Sequence, residues 1–499
     1  MSQRDSAIII GAGAGGLAAA MDLSAAGADV TVIDKAERVG GKMRQLDVDG
    51  AEIDGGPTVF TMRWVFESLF ERSGLSLFSE LDLQAADRLA RHAWRDGSAL
   101  DLWANTERSA DAIGTFSNKQ NAEGYKTFCS DSQAVFETLK DTFIAAQKPS
   151  PVGLSLRVGL HRIGALWQTR PFQTYWSRLS QYFSDPRLQQ LFGRYSTYIG
   201  SSPFLTPATL MLIAHVEQDG VWLVDGGMHA VARAMQRAAE RNGTTFRFGK
   251  SVQSISIEKG RANGVILETG ERLFADAIIF NGDQSAVAEG SLGPSAMSAA
   301  RLVPPKDRSL SALVWCMHTE TSGFELDYHT VFFSDAYKTE FETIFRTRNV
   351  PSDPTIYICA QDRRGGAKPD GRERLLILVN APADGDHAPI SEGRLETLSR
   401  TTKAHLAQYG LVLEDDAPAV LTPPTGFSQL FPGTGGALYG RANHNAFATF
   451  ARRGAKSKID GLYFAGGSVH PGAGVPMATM SGRLAAEAVL SKMTGLPLS

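Results

Sequence analysis

Three glycines, Gly11, Gly13 and Gly16, stand in the spacing G-x-G-x-x-G, and a carboxylate, Asp34, follows 23 residues after the first. Such a set can hold a nucleotide diphosphate. The first glycine permits a tight turn, the second lets backbone approach a pyrophosphate, and the third lets a helix pack close to a strand. The acid can accept a ribose hydroxyl. The spacing by itself is a weak signal, but its surroundings suit it. Ala7 to Ile10 is a short apolar run of the kind found in central parallel strands. A helix pattern runs from Leu17 to about Ala26, and Asp29 to Ile33 reads as a second strand ending at Asp34. The helix N-terminus then faces the phosphate charge.

A second glycine cluster closes the chain, in GLYFAGGSVHPGAGVPMATMSGRLAAEAVL from Gly461 to Leu490. Leu462 to Ala465 reads as a buried strand and Ala478 to Leu490 as a helix. Between them stand Gly466, Gly467, Ser468, Gly472 and Gly474. A turn needs one or two glycines; this many implies backbone lying against something that is not protein. Two histidines, His470 and His229, are candidate proton acceptors, with the plainer alternative of rings hydrogen-bonded near the site. No nucleophilic triad, metal cluster or carboxylate pair is evident.

The elements that must position these residues are spread along the chain. At 499 residues, two or more domains are expected. The 43% hydrophobic content, 21% charged content and net charge of −3 are those of an ordinary globular protein and lack the basic excess of a nucleic-acid binder. Cys129, Cys316 and Cys359 form no close pair, so neither a disulfide framework nor a zinc site is expected. The start, MSQRDSAIIIGAG, lacks the apolar core of a signal peptide, and no window reaches the ~18 apolar residues of a membrane span. From Glu80 to Leu212 the pattern reads as mostly helical. Strands are expected at Thr245–Gly249, Val252–Glu258, Ala262–Leu267 and Ala277–Phe280, the last ending at Asn281. A second layer of strands and helices follows from Leu310 to about Gly435.

Two further stretches, Gly40-Gly41-Lys42 and Asp54-Gly55-Gly56-Pro57, resemble the extension that lines FAD in flavoproteins with two dinucleotide-binding domains, which favours FAD over NAD. Together with DGGPTVFTM, the C-terminal cradle and YSTYIGSSPFLTPATLMLIAHVEQDGVWLVDGGMH, they resemble the bacterial carotenoid (phytoene) desaturases over nearly the whole chain. Within that family the resemblance is to the purple-bacterial branch acting on hydroxyneurosporene or methoxyneurosporene. It implies an α/β fold of the flavin amine oxidase type: a discontinuous Rossmann-like FAD-binding domain (1–75, 216–300, 446–499), a helical membrane-facing region (76–215) and an inserted α+β substrate domain (301–445). Cofactor contacts are then expected from Gly11, Gly13, Gly16, Asp34, Gly41, Lys42, Asp54, Gly55, Gly56, Pro57, Val252, Asn281, Gly466, Gly467, Ser468, Gly474, Val475 and Met477. Ser468 stands where many wider relatives carry an acid, but carotenoid desaturases look similar there.

The implied reaction places a C3–C4 double bond in a 1-hydroxy- or 1-methoxy-carotenoid. An unactivated C–H is too weak an acid for base-first catalysis. Hydride loss from the allylic carbon 4 to flavin N5, then proton loss from carbon 3, is the workable order, with oxygen or a quinone as final electron acceptor. A multistep phytoene desaturase, a carotenoid ketolase or oxidase, and a non-enzymatic isoprenoid-binding protein are the alternatives. A C40 carotenoid resides in lipid, so peripheral attachment to the cytoplasmic side of the inner membrane is expected. The acid-free tract between Asp141 and Asp185 suits that role. It places Leu156, Leu160, Ile163 and Trp167 on one helical face, with Arg157 and His161 beside them. Lys148, Arg162, Arg170, Phe172, Tyr175, Trp176 and Arg178 surround the stripe.

Overall fold

The computed structural model describes residues 5–147, 150, 153–154, 157 and 169–495. A five-stranded parallel sheet forms its first unit, in the order Leu462–Phe464, Ala277–Phe280, Ser6–Ile10, Asp29–Ile33 and Thr245–Arg247. Three widely separated parts of the chain therefore complete one sheet. The apolar run Ala7–Ile10 sits at its centre because both of its faces are covered. Ala7 and Ile9 share a core with the helices Ala14–Ala25, Gly227–Arg241 and Val475–Thr494. Ile8 and Ile10 turn the other way, against a three-stranded antiparallel sheet of Val252–Glu258, Arg261–Leu267 and Arg272–Phe274. The first and last helices are rich in alanine and glycine, which lets them cross at backbone contact: a Cβ on Gly482 would lie 1.9 Å from the Gly15 carbonyl oxygen.

The second unit is a seven-stranded sheet, in the order Ala419–Thr422, Ser311–Thr319, Glu373–Ala381, Ile356–Ala360, His329–Phe332, Arg88–Ala93 and Ala99–Trp103. Neighbours run antiparallel except at the parallel pairing of His329–Phe332 with Arg88–Ala93. Here the sequence expectation needs correction. The stretch from Glu80 onward opens with three strands before its helices, Leu83–Ala85, Arg88–Ala93 and Ala99–Trp103. Arg88–Ala93 and Ala99–Trp103 pair with each other as a hairpin, and the first of them joins it to a sheet whose next strand comes some 240 residues later.

Long helices Thr106–Phe116 and Lys119–Leu139 and shorter ones around Tyr175–Tyr182 and Pro186–Gly193 pack over that sheet. Part of the expected lipid-facing tract belongs to their core. Tyr175 is fully buried and its hydroxyl donates to the Phe192 carbonyl at 3.0 Å. Trp176 packs against Phe204 with ring centroids 4.5 Å apart and planes tilted by 40°, and Arg178 pairs with Asp131 at 2.8 Å. The tract lacks acids of its own, but a neighbouring helix supplies one. Arg157, Arg170 and Phe172 are exposed. Lys148, Leu156, Leu160, His161, Arg162, Ile163 and Trp167 lie outside the described residues. Among the described residues, no helix is long and apolar enough to cross a membrane.

Candidate functional site

The glycine fingerprint forms one corner of the site. Gly11 turns with φ +102°, a conformation L side chains rarely adopt. Gly16 has no room for a Cβ, which would meet the Gly11 carbonyl oxygen at 2.0 Å. Gly13 ends the turn, and the helix behind it starts with no side-chain cap, leaving its first N–H groups open to an anion. Asp34 receives the backbone N–H groups of Ala12 at 2.6 Å and Ala36 at 2.8 Å. It therefore braces the loop as well as standing where a ribose hydroxyl would be met. Val252 opens its strand two residues after Lys250, whose N–H bonds the Asp34 carbonyl at 2.9 Å.

Asn281 ties the two ends of the chain together. Its amide donates to the Gly11 carbonyl at 3.0 Å, and its side-chain oxygen leaves no space for a Cβ on Gly15 or Gly466. Gly40 and Gly41 pack on the fingerprint loop at Gly13, with the Gly40 N–H on the Ala12 carbonyl at 2.9 Å. A Cβ on Gly56 would fall 1.8 Å from the Lys42 carbonyl oxygen, so the Gly55-Gly56-Pro57 strip lies directly on the Gly40–Lys42 strip.

Asp54 and His229 stand behind these strips. The Asp54 carboxylate accepts the N–H of Met228, capping the helix Gly227–Arg241. Its backbone pairs with the Gln361 amide at 3.0 and 2.9 Å. Burial pushes its carboxyl up to about 6, against the N–H bonds from Met228 and His229. The His229 ring contacts the Met43 carbonyl at 2.8 Å through Nδ1, and burial lowers its pKa.

The C-terminal loop faces the fingerprint. Arg452, absent from the sequence expectation, shapes it: the guanidinium donates to the carbonyls of Gly467 at 2.9 Å, Tyr439 at 3.1 Å and Arg441 at 2.8 Å. Nothing local in the sequence marks this arginine, because all three acceptors come from loops. Lys42 donates to the Leu438 carbonyl at 2.5 Å. Burial pulls the Lys42 ammonium down to about 8 and the Arg452 guanidinium down to about 10, although Asp283 favours both charges. Neither forms an ion pair among the described residues. His470 is buried, its ring edge-on to Phe143 at 5.2 Å, and burial lowers it to about 4.

These groups fit a flavin dinucleotide. Two desolvated cations have no carboxylate in ion-pair contact among the described residues, which is costly unless an anionic ligand supplies the charge. The buried Ser468 hydroxyl has no hydrogen-bond partner among the described residues. Gly474, with φ +104°, has nothing within 4 Å of where a Cβ would stand, and the uncapped helix after it starts at Val475.

From this cradle a cavity of about 630 Å³ leads outward. Gly56, Pro57, Gly474, Val475 and Met477 line its inner end. Neither His229 nor His470 is among the described residues lining it. Leu376, Leu378 and Asn380 face it from alternate positions of one strand, and Leu139, Phe143, Ile213 and Val216 line it from the helices. The outer end reaches Phe172 and Phe447, 71% and 60% exposed, whose rings lie 6.3 Å apart. Two polar groups of the wall were not foreseen. Glu217 accepts hydroxyls from Tyr195 at 2.7 Å and Tyr198 at 2.9 Å, and the Arg194 guanidinium lies over the Tyr357 ring at 5.0 Å.

The model of the flavin-containing amine oxidoreductases matches residues 14–490. The chain is 48% identical over 490 residues to hydroxyneurosporene desaturase of Rubrivivax gelatinosus, covering 97% of this chain and 93% of the relative. It is 31% identical to 1-hydroxycarotenoid 3,4-desaturase of a Flavobacterium, covering 97% and 98%. The structure of putrescine oxidase bound to putrescine superposes with a TM-score of 0.60 at 17% identity, covering 98% of this chain and 99% of that one.

Proposed function

The chain belongs to the flavin-containing amine oxidoreductase family, in its carotenoid desaturase branch, and on that premise we propose that it places the C3–C4 double bond in 1-hydroxy- or 1-methoxy-carotenoids. It is an FAD-dependent oxidoreductase. The observation that carries the substrate reading is the long, mainly apolar cavity whose inner end opens on the glycine cradle. A linear polyene fits such a space, and a small charged amine does not use it.

Gly11, Gly13, Lys42, Ser468 and the loop held by Arg452 would hold FAD, with Gly474, Val475 and Met477 on the side of the cavity. FAD, when bound, supplies the acceptor for a hydride from carbon 4. The chain's own tasks are to orient carbons 3 and 4 at the inner end and to keep water out. Phe143, Ile213, Val216 and Leu378 do the latter, protecting a carbon skeleton that develops positive charge. The carbon-3 proton is acidified by that charge and needs no dedicated base. The redox cycle closes on oxygen or a quinone.

Exposed Phe172 and Phe447 at the outer end, with Arg157 and Arg170 on the same tract, support peripheral contact with an anionic bilayer on the cytoplasmic side of the inner membrane. The test is purified, FAD-loaded protein supplied with 1-hydroxyneurosporene in liposomes. The product gains one conjugated double bond and the reaction stops there. Conversion of phytoene to lycopene at a comparable rate would overturn the assignment.

A further inference from the structure

The cavity wall carries a polar relay that the reaction itself does not require. The Thr58 hydroxyl is 2.6 Å from the Tyr357 hydroxyl, which is 2.7 Å from Nδ1 of His329. All three residues line the cavity. His329 is 4% exposed, and its second nitrogen, Nε2, has no hydrogen-bond partner among the described residues. Whichever way the relay's protons point, Nε2 retains one unused valence, as donor or as acceptor. An unmet polar group in a mainly apolar wall costs ~1–3 kcal/mol, which a ligand with a matching polar atom recovers.

The location selects that atom. Thr58 directly follows Gly55-Gly56-Pro57, so the relay stands at the cradle end of the cavity and not at the Phe172 mouth. In a 1-oxygenated carotenoid the oxygen is four bonds from carbon 4, at most about 5 Å with bonds of ~1.5 Å. If carbons 3 and 4 react at the cradle, that oxygen must lie there too, and the remaining polyene runs out along the apolar wall. Resting on the carotenoid reading above, we propose that Thr58, Tyr357 and His329 form the subsite for the oxygen at carbon 1, with Nε2 of His329 as its hydrogen-bond partner.

Arg194 is a brace for the Tyr357 ring and not the partner. A guanidinium within reach of a carbon that develops positive charge would oppose the reaction. Burial, and secondarily Arg194, push His329 down to about 3, so the relay presents a neutral ring.

The test compares FAD-loaded wild type with His329→Leu and Tyr357→Phe. Binding of 1-hydroxyneurosporene and of neurosporene, which lacks the oxygen, is followed by quenching of protein fluorescence. Wild type prefers the hydroxylated compound. His329→Leu lowers that preference ~10-fold or more, the scale of a lost hydrogen bond in a dry site. The change appears in Kd and KM for the hydroxylated compound, with neurosporene binding unchanged. Tyr357→Phe shifts the preference in the same direction by a smaller factor. If both variants keep one FAD per chain and the wild-type preference, the subsite is refuted. If His329→Leu loses FAD, Tyr357→Phe, which deletes a single oxygen, decides by the same criterion. Wild type that binds and converts neither carotenoid would instead refute the functional reading on which the subsite rests.

Discussion

Gly482→Ala should damage the FAD site from a distance. The added methyl would stand 1.9 Å from the Gly15 carbonyl oxygen, about 1.5 Å inside the 3.4 Å at which ordinary contact begins. That oxygen belongs to backbone in the first turn of the fingerprint helix, so no side chain can swing aside. The helix Val475–Thr494 must therefore shift by a comparable distance, and Gly474 at its start lines the cavity. Overpacking of this kind costs ~1–3 kcal/mol, and a displacement of ~1 Å at a binding site can cost ~10²-fold. Urea unfolding of the FAD-free protein should show the first loss. Titration with FAD, followed by flavin fluorescence, should show the second. Gly467→Ala is the control. Its methyl finds only the Ala473 Cα at 3.6 Å and the Gly472 oxygen at 3.7 Å, so the protein has room for it. The FAD-free variant should be as stable as wild type and bind FAD more weakly, because the methyl projects into the cradle. Unchanged stability and affinity in Gly482→Ala would refute the backbone crossing. Unchanged affinity in Gly467→Ala would show that this loop does not face the cofactor.

Arg452→Met leaves three carbonyl acceptors without their donor; it should lower stability by ~2–4 kcal/mol and release FAD, with Arg452→Lys recovering part of both, and full FAD content in the methionine variant at wild-type unfolding temperature would contradict the role given to this residue. Acid should destabilise the FAD-free chain. His470 and His92, buried neutral and pushed down to about 4 and about 3, bind protons in the unfolded chain first. Stability is then fully present above their ordinary pKa of 6.5 and is lost as pH falls from there toward 4, by about 1.4 kcal/mol per pH unit for each histidine. Asp54, raised to about 6, runs the other way: the folded chain takes its proton first, so its contribution weakens as pH rises from about 4 to 6. His470→Gln should flatten the acid limb by one proton's slope in urea unfolding across that range, and an unchanged slope would refute the burial argument.

Local patterns carried far into this protein. The fingerprint glycines, the strand Ala277–Phe280 and the glycine loop before the last helix are all contiguous in sequence, and each owes its conformation to its own residues and near neighbours. Glycine spacing reports positive φ and close backbone approach directly, so the backbone geometry of this corner was legible in the sequence. What tertiary structure alone decided is where distant side chains meet. Arg452 acts on carbonyls from two separate loop segments, Tyr439 with Arg441 and Gly467, and the relay of Thr58, Tyr357 and His329 joins residues from two neighbouring strands and a cradle loop. Gly482 looks like any small helix residue until Gly15 is found against it. Arg88–Ala93 pairs locally with Ala99–Trp103 across the Asp96-Gly97 turn, but its other edge is met by His329–Phe332, some 240 residues away. Arg178 seemed free because no acid is near it in sequence, while Asp131 faces it from another helix. Backbone geometry is set over a few residues and leaves its trace in composition and spacing. Pairing of charges, ring nitrogens and helix faces is set by packing across hundreds of residues, and only the folded chain contains it.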